Sequence, residues 1–419
     1  MPTTELRPKP SCFTLIEKDA TDRDGLPQWV GLWKYTDASP TDPTQTSKPD
    51  QIWGEILENV GKPIKNAGKK SDDPKPASTH DRPLAKNAEW VFRGQESSTW
   101  EVMPSTRRSR EPKGCPSQPF FSLEAGLVEG LSRLSFGERG RLLEQVKKAV
   151  AGQGVAEWAK VHTIGNPGPT DPQWHEIAPL LHAIRCAAEF QAVHDFARVA
   201  DDAGLLIHDS ISSLPNGADS LANGESAWEP SETTALAQHH GIGTKLLDWT
   251  RRVKVAAYFA TQPKETALLQ YTKCRVEHEV ALQTDAKGEF AIWALNAACL
   301  ITGPVSDRRD LSRVRVLECN QATNHFLHAQ DGLFTWFDER SQLAKKQKKR
   351  RYPSIVDVLA AEGFAEDGVL QKFVVPRKLA AELRSRLRAD RISRATVMPT
   401  YDHVAISVRH RWFDRTKTK

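Results

Sequence analysis

The sequence predicts an α+β fold in which a central mixed or antiparallel sheet carries a helical insertion packed against it. Short apolar runs of strand length recur along the chain, at residues 90–92, 290–295 and 373–375 among others. Between the first run and the later ones, residues 174–203 keep apolar side chains at helical spacing. Strands and helices of this kind pack as layers around a shared core. We therefore expect one sheet, covered by a helical insertion at about residues 120–205.

The composition is that of a folded globular protein. Of the 419 residues, 39% are hydrophobic and 12 are Trp. No apolar run reaches the roughly 18 residues of a membrane span, and the N-terminus lacks a secretory signal, so we expect a cytoplasmic protein with no membrane contact. The six cysteines are scattered without a CxxC pair, and no HExxH occurs, so we expect no metal site.

The first 85 residues alternate aromatic segments with polar, proline-rich stretches. Within them, residues 51–60 place Trp53, Ile56, Leu57 and Val60 at helical spacing. The proline-rich stretches are typical of loops and linkers. We expect an N-terminal accessory region at 1–85, a main domain at 86–410 and a basic tail at 411–419.

The main domain begins with a predicted strand that ends at Arg93 and Gly94, followed by Gln95. An arginine beside an exposed glycine backbone presents several N–H donors together, which suits a phosphate or a carboxylate. The alternative is an arginine that forms an internal salt bridge. Beyond it, residues 123–134 and 138–150 predict amphipathic helices, and residues 163–173 break the pattern with proline and glycine.

The stretch from residue 232 to residue 260 concentrates polar side chains where the chain changes direction. A short helix at 232–239 is followed by a turn with two glycines, a strand at 244–248, and a helix that Thr250 is placed to cap. Functional sites are often built at such places. The alternative is a tight structural corner in which His240 and Asp248 satisfy each other, Trp249 is core and Thr250 is only a cap.

Strand-length runs return after residue 260, at 267–271, 290–295 and 314–317, with a predicted hairpin turn at 285–289. Gln330 and Asp331 then stand directly before a glycine. The chain carries a net charge of +5 with a sequence pI near 8.8, and its sharpest basic run is KKQKKRR at 345–351. That run suits phosphate contacts, or else forms a solvated loop. A strand at 373–375 and a leucine-patterned helix at 376–387 complete the pattern.

Three separated motifs stand out: Phe92-Arg93-Gly94, QHHGIGTKLLDWT at 238–250 with AAYFA at 256–260, and HAQDGLF at 328–334. They resemble those of the FRG-domain family, which is named for a Phe/Tyr-Arg-Gly motif. Pro104, Ser105 and Arg107 resemble a further family motif. The resemblance spans about residues 86–410. Lys245 stands where the family more often has Arg, and Asn324-His325-Phe326 stands where an Arg is usual.

The same order of residues has a more distant, fold-level resemblance to ADP-ribosyltransferases. This resemblance implies an ADP-ribosyltransferase-like core that uses NAD as a substrate, without a metal. The catalytic residues that it implies are Arg93, His240, Asp248 and Gln330. The implied NAD-binding residues are Gly94, Gln95, His239, Gly241, Thr244, Trp249, Thr250 and Tyr258. Arg93 would face the phosphates, Gln330 the ribose hydroxyls, and Trp249 or Tyr258 would stack on nicotinamide.

The expected function is therefore an ADP-ribosyltransferase-like bacterial toxin or anti-phage effector, with a nucleic-acid or protein acceptor and an antitoxin or defence-system partner. Two alternatives stay open. One is a nucleic-acid-binding or nucleic-acid-processing module of a defence or toxin system, favoured by the basic charge and the tryptophans. The other is a non-catalytic domain that recognises a partner.

Overall fold

One eight-stranded sheet organises the part of the chain that the structure describes. The structure is a computed structural model, and it describes residues 13–15, 30–36, 49–60, 89–107, 174–214, 229–262, 288–301, 314–322, 324–337, 353–361 and 369–408. In chain order the strands are β1 Phe13–Leu15, β2 Gly31–Tyr35, β3 Trp90–Gln95, β4 Leu247–Thr250, β5 Glu289–Asn296, β6 Val314–Leu317, β7 Gly332–Phe337 and β8 Leu370–Pro376.

The strands lie in the order β1-β2-β8-β5-β3-β4-β7-β6. The β2–β8 pair is parallel, and the other neighbours pair antiparallel. The sheet is therefore mixed, and the α+β prediction is confirmed.

Helices cover both faces of the sheet. Those described are α1 Pro49–Asn59, α2 Trp174–Asp202, α3 Glu232–His239, α4 Val253–Ala260, α5 Ala298–Ile301, α6 His325–Gln330, α7 Ile355–Ala361, α8 Ala380–Ala389 and α9 Arg394–Val397, followed by a helical segment at 401–408. The predicted long helix at 174–203, the short helix at 232–239 and the strand at 314–317 are confirmed. None of the described helices is long and apolar enough to cross a membrane.

The two largest hydrophobic clusters of the described residues lie on opposite faces of the sheet because side chains alternate along each strand. Phe290, Ile292 and Ala294 of β5 belong to the core that also contains side chains of α1, α4 and α8. Their neighbours Ala291, Trp293 and Leu295 belong to the core that contains side chains of α7. With both faces covered, β5 is buried along nearly its whole length, which explains the uninterrupted apolar run at 290–295.

Helix α4 lies directly against β3 at Gly94. A Cβ at this position would come within 1.9 Å of the Ala256 carbonyl oxygen and 2.7 Å of the Ala260 nitrogen. Only glycine permits this approach, because two backbones cannot come so close with a side chain between them. The glycine after Arg93 thus sets the distance between strand and helix.

The N-terminal region contributes to the same sheet and core. Strand β2 pairs with β8, and β1 pairs with β2. Trp33 stacks on Phe373 of β8 with ring centroids 6.1 Å apart, and Ile52 and Ile56 of α1 are buried in the adjoining core. The sheet therefore continues across the boundary predicted at residue 86.

Several predicted boundaries were wrong by a few residues, each for a local reason. Strand β4 begins at Leu247, not at Thr244, because side-chain oxygens accept the backbone N–H groups of Lys245 and Leu246. Thr250 lies in the strand, and Arg252 is the N-cap of α4; the Thr250 hydroxyl accepts the Arg252 N–H at 3.0 Å.

Strand β3 does not end at Arg93 and Gly94 as predicted. It continues through Gln95, which pairs with Ala291 of β5. The helix predicted at 376–387 begins at Ala380, after a 3-10 turn at Arg377–Leu379. The predictions for 123–150, 267–271, the basic run at 345–351 and the tail at 411–419 lie outside the described residues, as does most of the hairpin turn.

Candidate functional site

The site is centred on the carboxylate of Asp248, which two donors hold from adjacent elements. Arg93 Nη1, from β3, donates to the backbone oxygen of Asp248 at 2.7 Å and approaches Oδ2 at 3.4 Å. Gln238 Nε2, from α3, donates to Oδ1 at 2.6 Å. The Asp248 side chain is 45% exposed, whereas that of Arg93 is 12% exposed. A fixed carboxylate is thus open to solvent beside a mostly covered guanidinium.

Gln238 is held in turn by the segment that precedes β4. The Thr244 hydroxyl donates to Gln238 Oε1 and accepts the backbone N–H of Leu246 at 3.2 Å. The Thr106 hydroxyl donates to the Thr244 carbonyl at 3.0 Å. Since Thr244 occupies the amide oxygen, the amide nitrogen of Gln238 is directed to Asp248. Sequence reasoning did not select Gln238 or Thr106, although Gln238 is the first residue of the QHHG motif.

A buried ion pair stabilises the segment that precedes β4. Arg107 Nη1 lies 3.4 Å from Glu189 Oε2, and their side chains are 0% and 1% exposed. Glu189 also accepts the backbone N–H of Lys245, which ties α2 to the turn between α3 and β4. Lys245 itself is buried, with Nζ 4.8 Å from the centroid of the Trp336 ring. Glu189 therefore connects Arg107 to the backbone at Lys245.

The two histidines lie among aromatic rings at the end of α3. The ring of His239 is 5.4 Å from that of Phe334 and 6.0 Å from that of Phe326, and its Nδ1 is 3.4 Å from Asn324 Nδ2. Burial lowers the pKa of His239, and the nearby Asp248 acts in the opposite direction. Burial also lowers the pKa of His240. Both imidazoles are therefore mainly neutral at neutral pH.

The rim of the site is the turn that follows His240. The ring of His240 lies 5.2 Å from that of Phe326 and 6.2 Å from that of Phe196, nearly parallel to the latter. Gly241 has a φ of +90°, which favours glycine, and a Cβ there would meet nothing within 4 Å. The turn therefore borders open space next to these rings.

Gln330 is buried, and its side chain is directed toward the C-terminal helices. Its amide nitrogen donates to the Val397 carbonyl at 3.3 Å, while its backbone oxygen accepts the Thr250 hydroxyl at 2.5 Å. Asp331 follows with a left-handed φ of +48° and lies 3.9 Å from Arg251 Nη1. The third motif thus contacts β4 through the Gln330 backbone, whereas the Gln330 side chain bonds to Val397.

Three further predicted site residues have packing or bracing positions. Gln95 accepts the Trp293 indole N–H at 2.7 Å and donates to the Glu101 carbonyl at 3.1 Å. Trp249 is buried and donates to the Thr335 hydroxyl at 2.8 Å. Tyr258 is buried in the opposite core, and burial raises its pKa to about 12. Neither buried ring offers the open face that stacking on nicotinamide requires.

Metal-ligating side chains do not cluster in the described part of the chain: no group of three or more His, Cys, Asp or Glu there could hold a metal ion.

Comparison with protein families gives a match to the FRG domain over residues 206–267. This range contains α3, β4 and α4, and with them Gln238, both histidines and Asp248. The match supports the family resemblance for the central motif. Comparisons with curated proteins and with solved structures found no match.

Proposed function

We propose that the chain is an ADP-ribosyltransferase-like enzyme that cleaves NAD beside Asp248. The observation that carries the proposal is the half-exposed Asp248 carboxylate, which Gln238 contacts at 2.6 Å and Arg93 at 3.4 Å, while Arg93 also holds the Asp248 backbone oxygen at 2.7 Å. Cleavage of the bond between nicotinamide and ribose develops positive charge on the ribose, as glycoside cleavage does. A carboxylate whose position is already fixed stabilises that charge without reorganisation.

Arg93 would contribute to binding the phosphates of NAD. Its Nη1 is engaged with Asp248, but its Nε has no hydrogen-bond partner in the described part of the protein. A guanidinium presents several N–H donors to a phosphate oxygen, and its partial burial strengthens the interaction. In this proposal the negative part of the ligand lies next to β3 and the ribose next to Asp248.

Neutral imidazoles and aromatic rings would bind the remainder of the ligand. Neutral His240 would hydrogen-bond a ribose hydroxyl. The partly exposed rings of Phe196 and Phe326 flank His240 and offer apolar faces to a planar ring. In this proposal they take the stacking role that the sequence suggested for Trp249 and Tyr258.

The resemblance to FRG-domain proteins supplies the biological setting of the proposal. We place the activity in the bacterial cytoplasm, in a toxin or anti-phage effector that transfers ADP-ribose to a nucleic acid or a protein. An antitoxin or other defence-system protein would control it.

The test measures NAD consumption by the purified protein, with and without bacterial lysate. We expect Asp248→Asn and Arg93→Ala to lower turnover roughly 100-fold or more, because each removes a preorganised interaction with the transition state. Asp390→Asn is the matched control, since Asp390 is an exposed carboxylate that pairs with Lys254 at 2.7 Å. It should retain wild-type turnover.

Two results would contradict the proposal. Equal turnover in the wild type and in Asp248→Asn would place the chemistry elsewhere. Absence of NAD binding and turnover, together with salt-sensitive binding of RNA or DNA, would favour the nucleic-acid hypothesis instead.

A further inference from the structure

Two buried carboxamides on the sheet have their hydrogen-bonding capacity unused. Asn296 of β5 and Gln371 of β8 are both 0% exposed. Within the described chain, neither the nitrogen nor the oxygen of either side chain has a hydrogen-bond partner. Buried amides without partners are rare in folded proteins because each lost hydrogen bond to water carries a free-energy cost.

The strand register brings these two amides together on one face. Gln371 pairs with Ala294 of β5, and Asn296 lies two residues further along the same strand. Side chains two residues apart share a face, so the two amides are diagonal neighbours across β5 and β8. On the other side of β8, Gly31 pairs with Gln371. Glycine and alanine on either side leave room next to the Gln371 amide.

Two indole N–H groups belong to the same face. Trp33 stacks on Phe373, which lies two residues from Gln371 on β8. Trp53 of α1 lies in the same hydrophobic core as Trp33, Phe373 and Ala294. In the described chain, neither indole nitrogen has an acceptor.

We propose that a small neutral hydrogen-bonding molecule binds on this face between Asn296 and Gln371. Each amide offers N–H donors and a carbonyl acceptor, so the molecule bound there can both donate and accept hydrogen bonds. Neither side chain carries a charge, and burial would penalise a charged ligand. Internal water and a small neutral solute both meet these requirements.

The first experiment is a high-resolution crystal structure of the full chain. We expect electron density within hydrogen-bonding distance of both the Asn296 and the Gln371 amide. The source follows from a second crystal of protein unfolded in guanidinium chloride, whose cation is charged, and refolded in plain buffer. Density that returns identifies water, whereas density and bound mass that disappear identify a solute. Amides bonded to each other or to other protein groups, with no density between them, would overturn the proposal.

A second experiment compares Gln371→Met with Ile292→Met, a buried substitution on the same face of β5. If Gln371 binds a small molecule, Gln371→Met removes the hydrogen bonds between them. The urea midpoint of Gln371→Met should then fall below that of Ile292→Met. If the amide has no partner, its replacement by an apolar chain of similar shape relieves a buried polar group. A urea midpoint above that of the wild type would therefore also overturn the proposal.

Discussion

At the scale of single residues, the exposed Asp248 carboxylate depends on charges that are themselves fully buried. Glu189 connects Arg107 to the backbone of Lys245, within the segment whose Thr244 holds Gln238. The two kinds of charged group have different roles. The buried Arg107–Glu189 pair fixes the backbone before β4, and the half-exposed Asp248 carboxylate remains available to a ligand.

We predict that Glu189→Gln lowers the free energy of unfolding by roughly 3–5 kcal/mol, because it leaves the charge of Arg107 in the core without its carboxylate. Urea denaturation measures the change. Asp195→Asn on the same helix is the control, since that side chain is 62% exposed and should alter stability by less than about 0.5 kcal/mol. Similar small effects for both variants would show that the buried pair does not brace the segment.

His239 should make stability depend on pH. Burial lowers its pKa from the ordinary 6.5, so as the pH falls the unfolded chain takes up a proton before the folded protein does. The contribution of neutral His239 to stability is therefore fully present above pH 6.5. It is lost as the pH falls from 6.5 toward the lowered pKa. We predict that His239→Gln reduces this loss. Urea unfolding above and about one unit below 6.5 measures it, and an unchanged pH dependence would contradict the assignment.

At the scale of elements, the packing of α4 on β3 allows no side chain at position 94. We predict that Gly94→Ala destabilises the protein by roughly 3 kcal/mol or more, because the new Cβ would meet the Ala256 carbonyl and force the helix away from the strand. Since Gly94 follows Arg93, the displacement should also weaken ligand binding. Thermal denaturation and NAD calorimetry on the same variant measure both effects.

Gly54→Ala is the matched control for that substitution. Gly54 lies in α1, and a Cβ there would meet nothing within 4 Å. An alanine in an exposed helix loses less conformational entropy on folding, so Gly54→Ala should raise stability by about 0.5–1 kcal/mol. If Gly94→Ala lowers stability and Gly54→Ala raises it, the effect at Gly94 comes from close packing and not from helix propensity. Equal effects would argue against the close approach at Gly94.

At the scale of the whole molecule, β1, β2 and α1 complete the fold around β8. We predict that a chain starting at residue 86 fails to unfold cooperatively and self-associates, because it exposes the edge of β8 and the apolar face formed by Phe373 and its neighbours. Circular dichroism melting and sedimentation velocity test this. A monomer with a wild-type melting temperature would support the accessory region that the sequence predicts at residues 1–85.

Local features of the fold could be predicted from the sequence alone. The 3.6-residue period of α2, the glycines after α3 and the apolar run of β5 are properties of neighbouring residues, and they predicted those elements correctly. The Arg-Gly and QHHG motifs likewise indicated Arg93 and Asp248, because several polar residues stood where the chain turns.

The tertiary structure determined which of the predicted site residues contact each other. Gln238 reaches Asp248 because α3 packs beside β4, and β2 joins β8 because two segments distant in the sequence pair as strands. Trp249 and Tyr258 became core residues because helices cover both faces of the sheet. Periodicity and turn chemistry act between near neighbours, whereas strand pairing, burial and side-chain partners depend on contacts between distant segments, and the folded chain alone determines those contacts.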